Sequence, residues 1–382
     1  MKNTFVLLLT LELFSFSLSA QTKEIRVDSI HGKIIKSVYK KSLKDKDTLG
    51  HKSSLNIYPY VFYSPETDVA FGAGGIYIYY TGKSKRLKPS KIGFGGYYSI
   101  NNQYRISMIN DIYLAKNKLH ITLPMNYGYY INKYWGIGDE TEEYSNAGYA
   151  ATTFATTLTV QIPTTWFSAD RAGMIFDYNY TDIVDKKGNE LIDDPTMFGS
   201  NGGQMIGVGG DLVWDSRENL FTPKHGSYQY FKAVIYPGAS DFTFAFYEFD
   251  VRHYKPLKKG GVLASNVFMQ STTGNTPFYK LPSLGGKQMR GYFYGRYRDH
   301  FYAMGQVEYR KKFTKRWGYV LFGTVGNVSE DITKFDFHTL KYSFGTGARY
   351  MFNTKQRVNL RADIGIGADG NSGIYFGIEE AF

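Results

Sequence analysis

Apolar and polar residues alternate along most of the chain with a period of two. In the segment from Arg357 to Gly367, one parity carries Val358, Leu360, Ala362, Ile364 and Ile366, and the other carries Arg357, Asn359, Arg361 and Asp363. A period of two places successive side chains on opposite faces of a β-strand. Similar segments of about ten to fifteen residues, separated by turn residues, recur from Leu55 to the end of the chain. Charged residues lie in the middle of these segments, so one face of each strand is expected to contact water.

About sixteen such segments can be counted, an even number that is typical of closed bacterial outer-membrane barrels. They begin near Leu55, Asp68, Ser90, Gln103, Lys118, Gly148, Phe167, Gly202, Gly226, Asp241, Gly260, His300, Arg316, His338, Gln356 and Gly373. Closure is required in a membrane because an open edge would leave backbone donors and acceptors unpaired in lipid. We therefore predict an all-β fold over 55–382, a transmembrane antiparallel β-barrel of the outer-membrane type, with apolar side chains facing lipid.

The composition agrees with a membrane barrel rather than with a helical membrane protein. No apolar run approaches the roughly 20 residues that a spanning helix needs, and the mean hydropathy is −0.34. The chain nevertheless contains 34 Tyr, 28 Phe and 41 Gly. A barrel explains this combination, because every other residue faces lipid and aromatic girdles mark the two membrane interfaces. The formal net charge of +11 is spread over short turns rather than gathered in one patch, so nucleic acid is not an expected partner.

The connections between the predicted strands form two alternating sets. One set is short and mostly basic, at 83–88, 115–118, 255–259, 311–316 and 353–357, and the other is longer and polar or acidic, at 136–146, 183–201, 274–298 and 328–337. Outer-membrane barrels have short periplasmic turns and longer extracellular loops, which predicts that both termini are periplasmic. The basic turns would then lie near anionic head groups of the inner leaflet, unless they are simply solvated lysines.

The N-terminal residues predict export. Residues 1–20 combine Lys2, an apolar stretch from Phe5 to Phe16 and a small-residue end at Ala20, which is the pattern of a signal peptide. Residues 21–54 are too short for a folded domain. In this segment apolar residues follow a helical spacing at Val27, Ile30, Ile34 and Val38. It could plug the barrel as an amphipathic helix, lie on the inner leaflet, or be disordered.

Residues suited to enzymatic chemistry are sparse. The chain has no cysteine, which excludes disulfides, catalytic thiolates and Cys-ligated zinc. Its seven histidines are scattered without a metal-binding spacing, and there is no Gly-x-Ser-x-Gly nucleophile elbow. His253, close to the polar-face residues Glu248, Asp250 and Arg252, is the strongest catalytic candidate, but its parity places it on the lipid side. We therefore predict no enzymatic activity, no metal and no cofactor.

Two motifs are more specific than the strand pattern. The first is the turn Asp215-Ser216-Arg217, which continues to Pro223 and Gly226. The second is a loop that contains Gly285 and Gly286 followed by Met289-Arg290-Gly291-Tyr292. Together they resemble the turn and the Val-Arg-Gly-Phe/Tyr loop of the bacterial surface antigen domain, which is shared by the BamA and TamA outer-membrane assembly factors and by two-partner-secretion translocators. The resemblance covers the barrel and not the periplasmic POTRA domains of those factors.

The resemblance implies a role for the arginine of the loop. In that family the loop folds back into the lumen, and its arginine pairs with acidic side chains on the next two strands. Glu308 matches one of those acidic positions and faces the lumen by parity. Thr324 stands where the family has an aspartate. One carboxylate rather than two would therefore oppose Arg290, and the loop would be held less tightly.

The first and last strands carry the remaining candidate sites. Phe376, Ile378 and Phe382 share one parity in a predicted terminal strand from Gly373 to Phe382, which resembles the recognition signal at the end of outer-membrane barrels. Pro59 lacks a backbone donor and would weaken pairing between the first strand and the last, near Gly373 and Gly377. In the family this seam is the lateral gate. Alternatively, Pro59 lies at the periplasmic end of its strand and opens nothing.

These observations support one main function and two alternatives. The resemblance implies an outer-membrane factor that assists insertion or translocation of client outer-membrane or secreted polypeptides, in contact with membrane lipids. Periplasmic or lipoprotein partners would then replace the missing receiving domains. The alternatives are a channel or transporter for small solutes and a structural subunit that anchors an outer-membrane complex, because one fold hosts many functions.

Overall fold

The chain is described by a computed structural model. The structure describes residues 53–64, 68–82, 87–88, 90–143, 147–194, 196–219, 221–354, 357–368 and 370–382. The predicted signal peptide at 1–20 lies outside these residues. So does the segment 21–54 except for its last two residues, so the interpretation of that segment as an amphipathic helix stays a prediction.

The described residues contain nineteen β-strands. Their bounds are β1 Ser54–Ser64, β2 Asp68–Tyr79, β3 Ser90–Ser99, β4 Tyr104–Leu114, β5 Leu119–Thr122, β6 Met125–Lys133, β7 Gly148–Pro163, β8 Arg171–Asp185, β9 Gly202–Asp215, β10 Gly226–Tyr236, β11 Phe244–Pro256, β12 Gly261–Gly274, β13 Ser283–Leu284, β14 Tyr297–Arg298, β15 Phe301–Lys312, β16 Trp317–Ser329, β17 Lys341–Asn353, β18 Val358–Gly367 and β19 Ser372–Ile378. One short helix, α1, spans Glu190–Asp193, and short 3-10 turns occur at Ala115–Asn117, Trp166–Ser168, Lys258–Gly260, Phe278–Lys280 and Ile332–Lys334.

Seventeen of these strands belong to one sheet, and β13 and β14 form a separate two-stranded ribbon. Both β5 and β6 pair with β4, so they are two parts of one wall strand. The interruption falls at Leu123 and Pro124, and a proline removes a donor from the ladder. Counted in this way, the sheet has the sixteen wall strands that the alternation predicts. No helix among the described residues is long and apolar enough to cross a membrane.

Several strand bounds differ from the prediction. The segment expected to begin at Phe167 begins at Arg171, because Trp166–Ser168 forms a tight turn in which Phe167 has φ +50°. The segment expected at Asp241 begins at Phe244. The last strand was predicted to extend to Phe382, but it ends at Ile378. Pattern alone cannot locate these ends, because turn and strand residues have the same alternation there.

The chain divides into two compact units. The described residues of the first unit lie within 53–132, 150–163 and 175–185, and those of the second lie within 133–149, 164–174 and 186–382. In the first unit, β1 to β4 form a regular antiparallel array. Its polar side chains include His120, whose ring nitrogens lie 2.7 Å from the Asp111 carboxylate and 3.0 Å from the Gln161 amide oxygen. Both nitrogens are therefore engaged in structural hydrogen bonds.

The second unit contains both motifs, and its strands are inside-out relative to a soluble protein. In β16, Val320, Phe322 and Thr324 are buried, whereas Leu321 and Val325 are about half exposed. In β18, the charged Arg361 and Asp363 are buried and Ile364 and Ile366 are exposed, as the period of two predicted, whereas Leu360, expected on the exposed face, is buried. The charged residues of β18 are thus buried, while large aliphatic side chains of both strands are exposed, which is the arrangement of a wall in lipid.

Candidate functional site

The loop between β12 and β15 is an ordered hairpin that carries Arg290 at its tip. The β13–β14 ribbon forms its base, with Leu284 opposite Tyr297. Gly285 has φ +117°, and a Cβ there would lie 2.0 Å from the carbonyl oxygen of Phe293. Only glycine fits such a position without strain. The sequence Leu-Gly-Gly ahead of the motif is therefore explained by the turn that directs Arg290 toward the wall.

Arg290 is completely buried and is held by two carboxylates. Its Nη1 donates to Oδ2 of Asp363 at 2.6 Å, and its Nη2 donates to Oε1 of Glu308. The guanidinium also lies 3.6 Å from the ring centroid of Phe322. A charge-assisted fork of this kind is short and directional, and the aromatic face adds a favourable electrostatic contact.

The two carboxylates are shared with further arginines from the wall. Arg310 donates to Glu308 at 2.8 Å, and Arg361 donates to Asp363 at 2.9 Å. Arg349 bridges Asp363 and Glu380. Removing one partner of a buried ion pair leaves an uncompensated charge, so loss of any one member of such a cluster is expected to destabilise the fold. We call Arg290, Glu308, Arg310, Arg349, Arg361, Asp363 and Glu380 the charge cluster.

Glycines on the wall and in the loop allow the loop backbone to lie directly against β18. A Cβ on Gly365 would be 2.7 Å from the carbonyl carbon of Arg290. Gly291 has φ +117°, and a Cβ there would be 2.7 Å from the amide nitrogen of Gly367. Side chains at these positions would move the loop away from the wall, and Arg290 would then not reach Asp363.

Tyr292 fixes the other side of the motif. It is fully buried, its hydroxyl donates to the carbonyl oxygen of Tyr342 at 3.2 Å, and it accepts from the amide of Ala368 at 2.9 Å. The hydroxyl of Tyr375 donates to the carbonyl oxygen of Tyr292 at 3.1 Å and accepts from the amide of Gly291 at 2.8 Å. Hydrogen bonds therefore attach the loop to β17, to Ala368 directly after β18, and to β19, in addition to the ion pairs.

Only one of the two residues that were expected to lie beside Arg290 contacts it in the structure. Glu308 contacts Arg290 directly. Thr324 instead accepts a hydrogen bond from Gln306 at 2.9 Å. The expectation that a single carboxylate opposes Arg290 was wrong, because Asp363 on β18 is the second. Alternation had placed Asp363 on the polar face, but no sequence signal showed that it would be the residue to reach the loop.

The Asp215 turn is built by the residues of its own motif. The Arg217 side chain donates to both oxygens of Asp215, at 2.8 and 2.7 Å, and its guanidinium lies 4.5 Å from the ring centroid of Tyr228. Gly226 has φ +98°, and a Cβ there would lie 2.3 Å from the carbonyl oxygen of Ser216. Pro223 is buried within the turn. These contacts account for the residue types of the motif.

The same turn docks on the connection between β17 and β18. Arg357 donates to Glu218 at 3.0 Å, and Thr222 donates to the carbonyl oxygen of Arg357 at 2.8 Å. Glu218 also accepts from the backbone amides of Lys224 and His225. Burial would raise the pKa of Glu218, but the two amides and the Arg357 guanidinium outweigh it and hold the pKa below its usual value. The turn 216–225 is thus attached to a distant part of the chain.

The C-terminal residues turn away from β19 and pack on inward-facing side chains. Glu379 has φ +73°, and beyond it Glu380 accepts from Asn359 at 2.6 Å. The carbonyl oxygen of Phe382 accepts from Arg310 at 3.0 Å, and its ring lies 6.4 Å from that of Tyr254. Phe382 is buried, so the prediction that it continues the terminal strand was wrong.

The remaining candidates of the terminal strand and the seam are placed only by their backbones. Phe376 and Gly377 pair with Ala362 and Arg361 on β18, Gly373 pairs with Gly365, and Ile378 pairs with Leu360. Pro59 lies opposite Ala73 on β2, and it is exposed. The terminal recognition signal and the lateral seam stay predictions.

The long loops of the second unit bind one another. Asp139 accepts from Asn327 and from Thr339, both at 2.8 Å. Arg296 donates to Thr141, and the amide of Gly138 donates to the carbonyl oxygen of Arg298 at 2.9 Å. Hydrogen bonds therefore connect the loops that contain Asp139, Arg296 and Thr339 to one another.

The described part of the chain contains no cluster of metal-binding side chains. Within it, no three His, Asp or Glu side chains are placed to hold a metal ion. His253 is exposed on the outward face of β11, the side that its parity predicted.

Comparison with known proteins identifies the family. A sequence model described as the Omp85 superfamily domain matches residues 88–382. The chain belongs to the Omp85 superfamily. Its structure is similar to that of BamA from Haemophilus ducreyi lacking POTRA domains 1–3, with a TM-score of 0.59 and 13% identity over 94% of this chain and 81% of that one. It is also similar to CdiB from Acinetobacter baumannii, with a TM-score of 0.55 and 11% identity over 86% of this chain and 65% of CdiB.

No curated protein sequence matches the chain. At 13% and 11% identity, the likeness to BamA and CdiB shows the fold alone. This Omp85 chain is therefore a transmembrane antiparallel β-barrel of the outer-membrane type, and the inside-out burial of its strands agrees with that fold.

Proposed function

We propose that this Omp85 barrel assists the insertion or translocation of other polypeptides at the outer membrane. The observation that carries the proposal is the loop that places Arg290 between Glu308 and Asp363 on the inner wall. A passive pore does not require a loop that is fixed to the wall by ion pairs, by tyrosine hydrogen bonds and by close backbone contact at Gly291 and Gly365. Such a loop suits a barrel that holds its last strands in register while another chain passes.

The loop would act by holding the end of the sheet in one arrangement. It contacts β15 through Glu308, β18 through Asp363 and β19 through Tyr375. An incoming polypeptide in lipid must pair all its backbone donors and acceptors, which an available strand edge can do. We propose that the seam between β1, with Pro59, and β19, with Gly373 and Gly377, offers that edge, and that both termini face the periplasm.

The runner-up is a channel for small solutes, which a charged inner wall also supports. Glu248 accepts from Gln270 at 2.8 Å, and Asp250 accepts from Asn266 at 2.7 Å and pairs with Arg252. Against this stand the hydrogen bonds that connect the long loops to one another, because an open solute channel does not need its loops to be bound together. We therefore place insertion or translocation of polypeptides first.

A reconstitution assay tests the proposal directly. The purified full chain in phospholipid vesicles is expected to accelerate folding of a urea-unfolded outer-membrane barrel, scored by its heat-modifiable mobility on gels. The Arg290→Ala variant, once shown to be folded, is expected to be slower, and Lys287→Ala is the matched loop control. Vesicles that leak small solutes without accelerating folding would favour the channel.

Depletion in the cell provides the second test. Loss of several other outer-membrane proteins is expected, whereas normal levels with altered permeability would contradict the proposal. Co-purification from native membrane would identify the periplasmic or lipoprotein companions that we propose work beside the barrel.

A further inference from the structure

Two neighbouring turns concentrate positive charge on one edge of the second unit. The segment 255–261 contains three lysines, and 311–317 contains three lysines and one arginine, without any Asp or Glu in either. The turns lie side by side because β12 pairs with β15, with Gly261 opposite Lys311. The ammonium of Lys311 donates to the carbonyl oxygen of Lys259. We call these two segments the basic edge.

The cations of the basic edge form no ion pair with a carboxylate in the part of the chain that the structure describes. Its ion pairs involve other residues, and none involves Lys258, Lys259, Lys311, Lys315 or Arg316. Clustered like charges repel one another and raise the local concentration of anions. The basic edge is therefore suited to an external anion.

Exposed aromatic residues accompany this charge. Phe313 is 65% exposed and Trp317 is 48% exposed, and the Trp317 ring lies 4.9 Å from that of Tyr350. Aromatic rings next to lysine and arginine are typical of the level of the lipid head groups. The aromatic residues distinguish the basic edge from an ordinary solvated turn, and they favour a lipid over an acidic protein.

A groove lies on the outward face of the same strands. Its volume is about 490 Å³, and it crosses β12, β15, β16 and β17. Two glycines form its floor, Gly305 between Val267 and Val325, and Gly323 between Val307 and Phe344. A Cβ on either glycine would meet no atom within 4 Å. The glycines therefore leave an apolar notch in a wall of exposed valines and aromatic residues.

The depth of the notch matches an acyl chain anchored at the basic edge. Gly323 follows Trp317 by six residues in β16. At about 3.3 Å per residue the separation is about 20 Å along the strand. A strand tilt of about 45° reduces this to about 14 Å of depth, which is about half of a 30 Å hydrocarbon core. A chain that starts at the turn would thus end in the notch.

We propose that this face is a binding site for one anionic phospholipid of the leaflet that contacts the short turns. Its phosphate lies between Lys259, Lys315 and Arg316, and an acyl chain occupies the notch at Gly305 and Gly323. The proposal rests on the barrel fold and is independent of the proposed function. Lipid binding can therefore be absent while insertion of polypeptides is observed, and insertion can be absent while lipid binding is observed.

The test is lipid binding to the purified full chain in detergent, measured by native mass spectrometry with added phosphatidylglycerol or phosphatidylcholine. We expect preferential retention of one phosphatidylglycerol. At about fivefold in affinity for each cation near a phosphate, the double variant Lys315→Gln with Arg316→Gln should bind about 25-fold more weakly. Lys116→Gln with Lys118→Gln removes the same charge from another short turn and should bind as the parent does.

A second pair of variants tests the notch. Gly305→Leu with Gly323→Leu should fill the notch, because a Cβ at either position points into open space, and should remove the preference for long-chain over dihexanoyl phosphatidylglycerol. Ile364→Leu, at an exposed position on β18 that does not line the groove, should keep that preference. Heat-modifiable mobility verifies folding of each variant. The proposal is overturned if phosphatidylcholine binds equally well, if inorganic phosphate competes as well as the lipid does, or if both double charge variants lose binding equally.

Discussion

Arg290 contacts two carboxylates that come from strands far apart in the sequence. Glu308 lies on β15 and Asp363 on β18, and both are fully buried. Burying one of these charges without its partners would be unfavourable, so the cluster stabilises the loop only as a whole. The residue that the resemblance singled out is thus the link between the loop and the wall.

Replacing Arg290 with alanine should destabilise the barrel. Because Glu308 and Asp363 lose one partner each but keep Arg310 and Arg361, we expect a loss of about 3 kcal/mol, the lower end for breaking a buried ion pair. The measurement is the thermal midpoint of the heat-modifiable form in detergent. Lys287→Ala, on the same loop, should change stability by less than about 0.5 kcal/mol. Equal and negligible effects of the two would contradict the assigned role of Arg290.

For single residues, the sequence predicted which face of a strand a side chain occupies better than it predicted the partner of that side chain. Period-two alternation placed Glu308, Arg361 and Asp363 on the inner face, where the structure has them. It could not show which acid meets Arg290, because that depends on how far a loop reaches across three strands. Thr324 was compared with an aspartate of the family, whereas the carboxylate is supplied by another strand.

The loop and the turns depend on backbone conformations that only glycine accepts easily. Gly291 combines φ +117° with contact to the β18 backbone. In contrast, Gly305 faces open space on the outer wall. Two glycines of the same unit therefore differ completely in what a side chain would meet.

Gly291→Ala should displace the loop even though it adds one methyl group. The strained φ and the approach of Cβ to Gly367 both oppose it, so we expect a loss of stability of about 1–3 kcal/mol. We expect limited proteolysis to cut faster within 285–300 and the thermal midpoint of the variant to be lower than that of the parent. Gly305→Ala is the matched control and should behave as the parent does. If the loop of Gly291→Ala resists proteolysis as the parent does, glycine at position 291 is not required for docking of the loop.

The turn 216–225 should loosen in acid. Because the folded pKa of Glu218 is lowered, its contacts contribute stability above the ordinary value of 4.5 and lose it as the pH falls through the lower folded pKa. Pepsin, which cleaves beside Leu and Phe, should cut at Leu220 and Phe221 faster in Glu218→Gln than in the parent at pH about 5. The difference should narrow as the pH falls through the lowered folded pKa of Glu218, where the parent loses the same contacts. Equal rates at pH about 5 would contradict the docking of this turn.

Elements were predictable in number and order, but less so at their ends. The alternation predicted sixteen wall strands, and most observed strands begin within a few residues of the expected positions. The terminal strand stops at Ile378 because Glu379 adopts a positive φ and the last residues bind Arg310 and Arg349. That outcome depends on tertiary partners and has no local signal.

For the whole molecule, family and fold agree with the direction of the side chains. Residues 88–382 match the Omp85 superfamily domain, and the strands bury charge and expose aliphatic residues. The proposed insertion of polypeptides and the proposed lipid site both require that the exposed face contacts lipid and that the charged face contacts a hydrated interior.

Spin labelling in vesicles tests this requirement most directly, since the chain has no cysteine and each label can be placed alone. Labels on the outward positions Val267 and Phe249 should be relaxed by oxygen, which partitions into lipid, and labels on the inward positions Glu248 and Gln270 by a water-soluble nickel chelate. If the outward labels respond to nickel and the inward ones to oxygen, the assignment of the two faces is contradicted.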